Sequence, residues 1–437
     1  TQLNWRNFLY FSSMPIYPAH VLNTIDGETY LRDYNYKMLP GTGPYIVNEA
    51  DVDRGNRVVI RRRSDYWAES SRRNVGLHNF DEIHQIVVRD NNLAFEMFKR
   101  GDLDYYHVNV SREWVEELDT EPVQRGLLQK RKVFNEYPLG MSGIAFNTRR
   151  EPWQDVRVRR ALAHLYNRQL MIEKLFFGEY FRKTSYFSGP YRNPGNPDIR
   201  YDPELAVSLL AEAGWTERNS QGRLVRDGQP LTAELLYGQQ GLEPSLTMFQ
   251  EDLRRVGITL NLRLVTFETM IQLIDERRFD LVSVAYTGLL FPNPETTFHS
   301  SLADVDNTNN ITAVKSPRID ELLIRYDTEF DQQEREEIIR EVDGILGDLH
   351  NYILGWEAPF FRIAFWNRFG APEGYLSRFG YYRDQLSLWW VDPQKEASWR
   401  QAMASTSERM EVGETDVHYW EQYVEGSAEL RAMPDGH

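Results

Sequence analysis

The sequence contains no cysteine, which removes disulfides, zinc–thiolate sites and thiol nucleophiles together. The composition suits a protein that must fold without redox assistance. No apolar run approaches the roughly 20 residues that cross a bilayer. Nor is a signal peptide expected among these residues. Basic residues are the minority: 50 Lys and Arg stand against 65 Asp and Glu, a net charge of −15. That balance argues against a nucleic-acid partner, which needs a basic face. The one basic run, Arg61-Arg62-Arg63, reads as the solvated end of a strand. No two of the nine histidines have the i, i+4 spacing that puts two ligands on one helix face. No Gly-x-Ser-x-Gly elbow is present to place a nucleophile. Gly41-Thr42-Gly43 lacks the Gly-Lys-Thr/Ser of a phosphate loop and reads as a tight turn. Asp304-Val305-Asp306-Asn307-Thr308 alternates oxygens like a calcium loop, but Asn309 replaces the glycine and Lys315 the closing glutamate. Catalytic residues, a metal site and a cofactor are therefore all expected to be absent, and the chain is expected not to be an enzyme.

What is present is ordinary in amount and informative in order. Apolar residues make up 41% of the 437, enough for two or three cores, and aromatics 13%, with 24 Tyr and 11 Trp. Residues 1–40 read as irregular. Strands are expected at 45–47, 57–61 and 83–88, a helix at 91–100 stopped by Gly101, and a strand at 102–106, together a β-α-β unit. Asp155 is the N-cap of a long helix running to Gly178. Asp202 caps the next, with Pro203 at its first position, where a missing N–H costs nothing. Strands at 231–237, 258–264 and 279–286 alternate with helices at 244–256 and 267–277. Two more helices start at Ser316-Pro317 and at Asp331, the latter with Glu334 in a capping box. Residues 352–395 are strand-like and aromatic. The last stretch, 396–437, holds nine acidic and three basic residues and reads as a peripheral helix or mobile tail.

Several segments in fixed order carry a family resemblance. They are Pro40-Gly41-Thr42-Gly43-Pro44-Tyr45, Arg63-Ser64-Asp65-Tyr66-Trp67, Asp155-Val156-Arg157-Val158-Arg159-Arg160-Ala161-Leu162 and Tyr201-Asp202-Pro203, leading to Leu209-Leu210-Ala211-Glu212-Ala213-Gly214-Trp215. Together they resemble the family 5 extracellular solute-binding proteins, which deliver peptides to ABC importers. Asn293-Pro294-Glu295, Tyr352 to Trp356, Phe365 to Gly370 and Trp389-Trp390-Val391-Asp392-Pro393 resemble its YejA-type members. The resemblance implies an α/β, two-lobed periplasmic-binding-protein fold (type II, large peptide-binding class). Residues 1–147 would be a partial lobe one, 148–365 lobe two, 366–395 a return to lobe one and 396–437 an acidic C-terminal extension. The family's N-terminal stretch is missing from this pattern, so either a separate fragment of the same protein completes the fold or the sequence is a piece of a longer chain. The implied location is the periplasm, after export.

The implied function is capture of oligopeptides or peptide-like compounds in an interlobe cleft, and delivery to an ABC permease in the membrane. A sugar, opine or metal-chelate ligand is the alternative among binding proteins, and a glycoside hydrolase the alternative among enzymes. By position, Tyr286, Thr287 and Gly288 match the end of the ligand-facing strand, Tyr105 and Tyr106 a cleft aromatic of lobe one, and Phe267 one of lobe two. Asn293 and Trp366 are further ligand-binding candidates. Many oligopeptide binders place an aspartate just after that strand to pair the peptide amine. Here no acid occurs between Val284 and Pro294, and Glu295 is the first candidate for that role.

Overall fold

The computed structural model describes residues 4–34 and 38–432. The expected extension is therefore described only to residue 432, and His437 lies outside the described residues. The chain divides into two compact units. A central unit comprises Thr1–Ser12 and Pro138–Ala358, and a flanking unit Ser13–Tyr137 and Pro359–His437. The chain thus passes between units at 12/13, 137/138 and 358/359, where the sequence reading expected boundaries near 147 and 365 and none near residue 12.

The central unit is built on a five-stranded sheet in the order Thr259–Leu264, Thr232–Tyr237, Leu281–Tyr286, Met141–Phe146, Tyr352–Leu354. The first three run parallel, and Met141–Phe146 is antiparallel to both of its neighbours. Alternate residues along each strand enter opposite cores. Ile144, Phe146, Ala233, Leu235, Leu281 and Ile353 face one. Met141, Ala145, Leu236, Val282 and Tyr352 face the other. The period of two explains why these strands read as near-continuous apolar runs: both faces are covered. Helices Val156–Leu165, Pro203–Glu212 and Glu243–Arg255 cover the first face, while Phe267–Asp275, Pro317–Thr328 and Gln332–Leu349 cover the second.

The helix starts follow the cap residues. The carboxylates of Asp155, Asp202 and Asp331 accept from the N–H groups of Arg157, Leu205 and Glu334. The expected single helix to Gly178 is in fact two. Val156–Leu165 ends, and Asn167 caps Arg168–Leu175 by accepting from Leu170 N–H at 3.2 Å. An Asx cap inside an apolar-periodic stretch competes with helix continuation. The first residues are not irregular either. Trp5–Ser12 is a helix, and Trp5 is buried in the second core of the central unit.

The flanking unit holds a four-stranded sheet in the order Asp416–Val417, Leu128–Phe134, Phe360–Trp366, Tyr105–His107. In a second sheet Arg57–Arg62 pairs with Tyr45–Ile46, Val52–Asp53 and Glu82–Ile86. Helix Asn91–Arg100 has its expected bounds, with Gly101 left-handed at φ 88°. It does not close a β-α-β unit in one sheet, because Glu82–Ile86 and Tyr105–His107 belong to different sheets. The C-terminal stretch is integral to this unit. Helix Pro393–Met403 follows directly on strand Trp390–Val391, and Asp416–Val417 pairs with Leu128–Phe134 at the edge of its sheet. The Arg125 guanidinium donates to the Ala402 and Glu408 carbonyls.

Two features read from sequence resolve as surface chemistry. Arg61 pairs with Asp51 and Glu82, Arg62 with Asp81, and Arg63 with Asp65, so the basic run is neutralised locally. In the calcium-like loop Lys315 Nζ sits 2.7 Å from Asp304, occupying the acid with its own cation.

The loop between residues 184 and 196 is tied to helix Gln332–Leu349 by one buried carboxylate. Asp343 accepts from Ser185 Oγ (2.7 Å), Tyr186 N–H, Asn193 N–H and Asn196 Nδ2 (each 2.8 Å). Asp343→Ala strands the buried Tyr186 N–H and the half-buried Asn193 N–H, so it should lower stability by about 2–4 kcal/mol in urea denaturation. An effect below about 0.5 kcal/mol would mean that the loop holds itself.

Candidate functional site

A sheet covered on both faces can meet a ligand only at its strand ends. In the central unit the chain leaves Thr232–Tyr237 for a strand on one side, then returns to pair a strand on the other. The two connecting helices lie on opposite faces: Leu246, Phe249 and Leu253 join the first core, Leu273 and Ile274 the second. That is a topological switch point, and α/β sheets bind ligands in the crevice outside the carboxyl ends there.

A cavity of about 640 Å³ occupies this position. Gly238 and Gln239 follow Thr232–Tyr237 into its wall, Val284 to Tyr286 end the neighbouring strand, and Gly355 and Trp356 follow Tyr352–Leu354. Phe267, 64% exposed, enters from the first turn of its helix, and Tyr166 adds a fourth ring to those of Tyr286, Trp356 and Phe267. Asp275 is the one formally charged residue of the lining. The volume is within the usual range for small-molecule sites, and an apolar, aromatic wall with a few amides and hydroxyls suits a ligand with mixed character.

Tyr286 also lines a second cavity of about 260 Å³, together with Thr287, Gly288 and Asn293. Burial pushes the Tyr286 phenol above its ordinary pKa. The strand can turn here only because glycines accept close backbone approach. A Cβ on Gly140 would stand 1.7 Å from the Tyr286 carbonyl oxygen, and one on Gly288 would stand 2.0 Å from that of Pro138.

The remaining expected residues separate. The Glu295 carboxylate is taken by Arg6, which also pairs with Asp327 and donates to Asn293 Oδ1. Arg6 comes from the N-terminal helix, far away in sequence, so nothing local could reveal this pairing. Tyr105 and Tyr106 lie in the flanking unit and line a cavity of about 770 Å³. Trp366 is a correction: it is 3% exposed, lines none of these cavities, and donates from Nε1 to the Phe98 carbonyl at 3.0 Å as part of a core. Gln239, Tyr166 and Trp356 were missed. A strand followed directly by Gly238-Gln239 was the available signal for the first.

The tyrosines of the flanking unit sit among buried titratable groups. Burial, with the Glu113 carboxyl beside it, holds the Tyr106 phenol up at about 12. Burial and Glu117 raise Glu113 from 4.5 to about 7, and its Oε2 has no hydrogen-bond partner. His107, stacked on Tyr382 at 3.8 Å, is pushed down to about 4 by burial.

Residues 3–309 match the bacterial extracellular solute-binding proteins, family 5 Middle, and the chain belongs to that family. Among curated relatives it is 28% identical over 375 residues to the probable peptide-binding protein YejA of Agrobacterium fabrum, covering 76% of this chain. The chain spans 60% of the length of that relative. Among solved structures, the oligopeptide-binding protein AppA of Bacillus subtilis, in complex with a nonapeptide, superposes with TM-score 0.67 at 21% identity, over 87% of this chain and 72% of that one. A mannohexaose-bound periplasmic oligopeptide-binding protein of Thermotoga maritima gives 0.63 at 20%, over 91% and 73%. These structures establish the fold: the α/β fold of the oligopeptide-binding periplasmic proteins. No described helix is long and apolar enough to cross a membrane. No described cluster of three or more His, Cys, Asp or Glu could hold a metal ion.

Glu113 yields a pH test of the flanking unit. Between its unfolded value of 4.5 and its folded value of about 7, the unfolded chain releases the proton first. Native stability is therefore lost as pH rises through that window. The stability gap between Glu113→Gln and the parent should shift in the variant's favour by on the order of 2 kcal/mol from about pH 5 to about pH 8. A gap that stays constant across that range would place the carboxyl in contact with water.

Proposed function

We propose that the chain is the solute-capturing component of an ABC importer, and that its ligands are oligopeptides or peptide-like compounds. The observation that carries this reading is the 640 Å³ cavity outside the carboxyl ends of the central sheet, in a chain of family 5. The peptide-bound AppA, with the same fold, supports it. Tyr286 and Phe267 supply the ring faces, with Thr287, Gly288 and Asn293 on the far side of Tyr286. Backbone amides at the strand ends pair with an extended ligand, and a roomy cavity accepts varied side chains through water. The central unit corresponds to lobe two of the family, and the flanking unit to lobe one. Delivery to a membrane permease, and a periplasmic location after export, are the parts of this reading that membership of an extracellular solute-binding family supports. The work done is binding and release, with no covalent step.

A second reading is favoured by one observation. The cavity has several aromatic faces and a single formal charge, which also suits a neutral saccharide, as in the mannohexaose-bound neighbour. Calorimetric titration with a mixed set of tripeptides to hexapeptides, and with mannohexaose, separates the two. Peptides should bind, and Tyr286→Ala should weaken them by more than about 1 kcal/mol. Saccharide binding without peptide binding would replace the first reading with the second. Unchanged affinity in a folded Tyr286→Ala protein would remove Tyr286 from the site.

A further inference from the structure

Two cavities of the central unit share a wall. The one of about 640 Å³ and the one of about 260 Å³ both border Tyr286 and Asn309, and both are lined only by residues of that unit. Charged residues are a quarter of the sequence, 26%, yet the two linings hold a single one between them. The smaller cavity has no Asp, Glu, Lys, Arg or His in its wall. The larger has Asp275 and no cation.

Three arginines stand behind these walls, and each is already engaged. The Arg277 guanidinium donates to the carbonyls of Ile274 (3.2 Å), Val305 (2.7 Å) and Thr308 (2.9 Å). That of Arg149 donates to the carbonyls of Ala303 (3.0 Å), Asn310 (2.9 Å) and Ile311 (2.8 Å). Between them they fix the irregular segment 303–311, from which Thr308 and Asn309 enter the lining. Arg6 is paired with Glu295 and Asp327. A ligand anion could recruit one of these cations only by stranding the oxygens that it now satisfies. Asp275 is the opposite case. It is half-buried, and among the described residues nothing pairs with its carboxylate or donates to it. Only its backbone carbonyl is used, by Asn307 N–H at 3.2 Å.

We propose that the two cavities act as a charge filter, admitting neutral and basic peptide segments and refusing acidic ones; this rests on the peptide reading of the same site. An enclosed carboxylate loses its water and meets no cation. The amides of Gln239 and Asn309 can hydrogen-bond it as they would a glutamine, but they do not neutralise it, and Asp275 repels it. Acidic side chains and the C-terminal carboxylate of a peptide therefore stay outside both cavities. A lysine or arginine fits the larger one, with its head on Asp275 and its stem along the rings.

The net charge of −15 also repels anions, and salt separates the two effects. In about 1 M salt the Debye length is about 3 Å, so the field of exposed charges is screened while the cost of desolvating an enclosed carboxylate remains. The test uses pools of C-terminally amidated hexapeptides built from Ala, Ser, Leu and Tyr, with Gln, Glu or Lys at one position in turn. The peptides that the protein retains are released by denaturation and compared by mass. At one or more positions Glu peptides should be retained less than their Gln counterparts by about 30-fold or more, even in about 1 M salt. In about 0.15 M salt, Lys should exceed Gln by about threefold or more. A folded Asp275→Asn protein should lose the preference for Lys and still refuse Glu, and Asp275→Lys should admit Glu. Equal retention of Glu and Gln peptides at every position would overturn the filter while leaving peptide capture intact. Discrimination that vanishes in about 1 M salt would overturn it too, by assigning the effect to net charge. Retention of no peptide at all would remove the peptide reading and the filter with it.

Discussion

Burial of a largely parallel sheet on both faces is the constraint from which the rest follows. Strands whose two faces are both apolar expose neither to a ligand, so recognition is confined to the strand ends and the loops they feed. In the central unit the reversal of strand order at Thr232–Tyr237 sends its two flanking helices to opposite faces. The loops after Tyr237 and after Tyr286 diverge with them, and a cavity opens between. The position of the site is thus a consequence of topology. Its chemistry is a consequence of which residues the loops happen to carry.

Tyr286 ends a strand paired with Met141–Phe146, and close backbone approach sets the exit that follows it. Gly140 and Gly288 let the entry segment and the strand exit pass within a distance that no Cβ allows. The N-terminal helix reinforces the same corner: Trp5 packs into the second core, and Arg6 neutralises Glu295 and Asp327. Glu295 is thereby committed to the protein itself. An amine anchor for a peptide ligand, if the site has one, falls to another group, and Asp275 is the only carboxylate in the lining.

Much of the fold was legible in the sequence because it is local. Asp155, Asp202 and Asp331 cap helices as their spacing required, and Gly101, Gly214 and Gly257 take left-handed stops at helix ends. What was misread is non-local. Asn167 breaks a helix that apolar periodicity alone would continue. The strands on either side of Asn91–Arg100 look like one β-α-β unit until their partners, Arg57–Arg62 and Phe360–Trp366, are known. The acidic stretch after residue 396 looked peripheral because its anchors, Arg125 and strand Leu128–Phe134, lie more than 250 residues earlier. Site residues divided on the same line. Tyr286 and Phe267, at a strand end and a helix start, line the candidate cavity, whereas Trp366 has the same aromatic appeal in sequence and is spent on a core.

The account stands or falls on what the cavity of the central unit holds in the cell. Native mass spectrometry of the protein isolated from its host, followed by denaturing analysis of whatever is released, addresses it most directly. The account predicts a heterogeneous set of peptide masses released on unfolding and reduced by Tyr286→Ala. A protein that carries only saccharide, or a ligand load that Tyr286→Ala leaves unchanged, would contradict it.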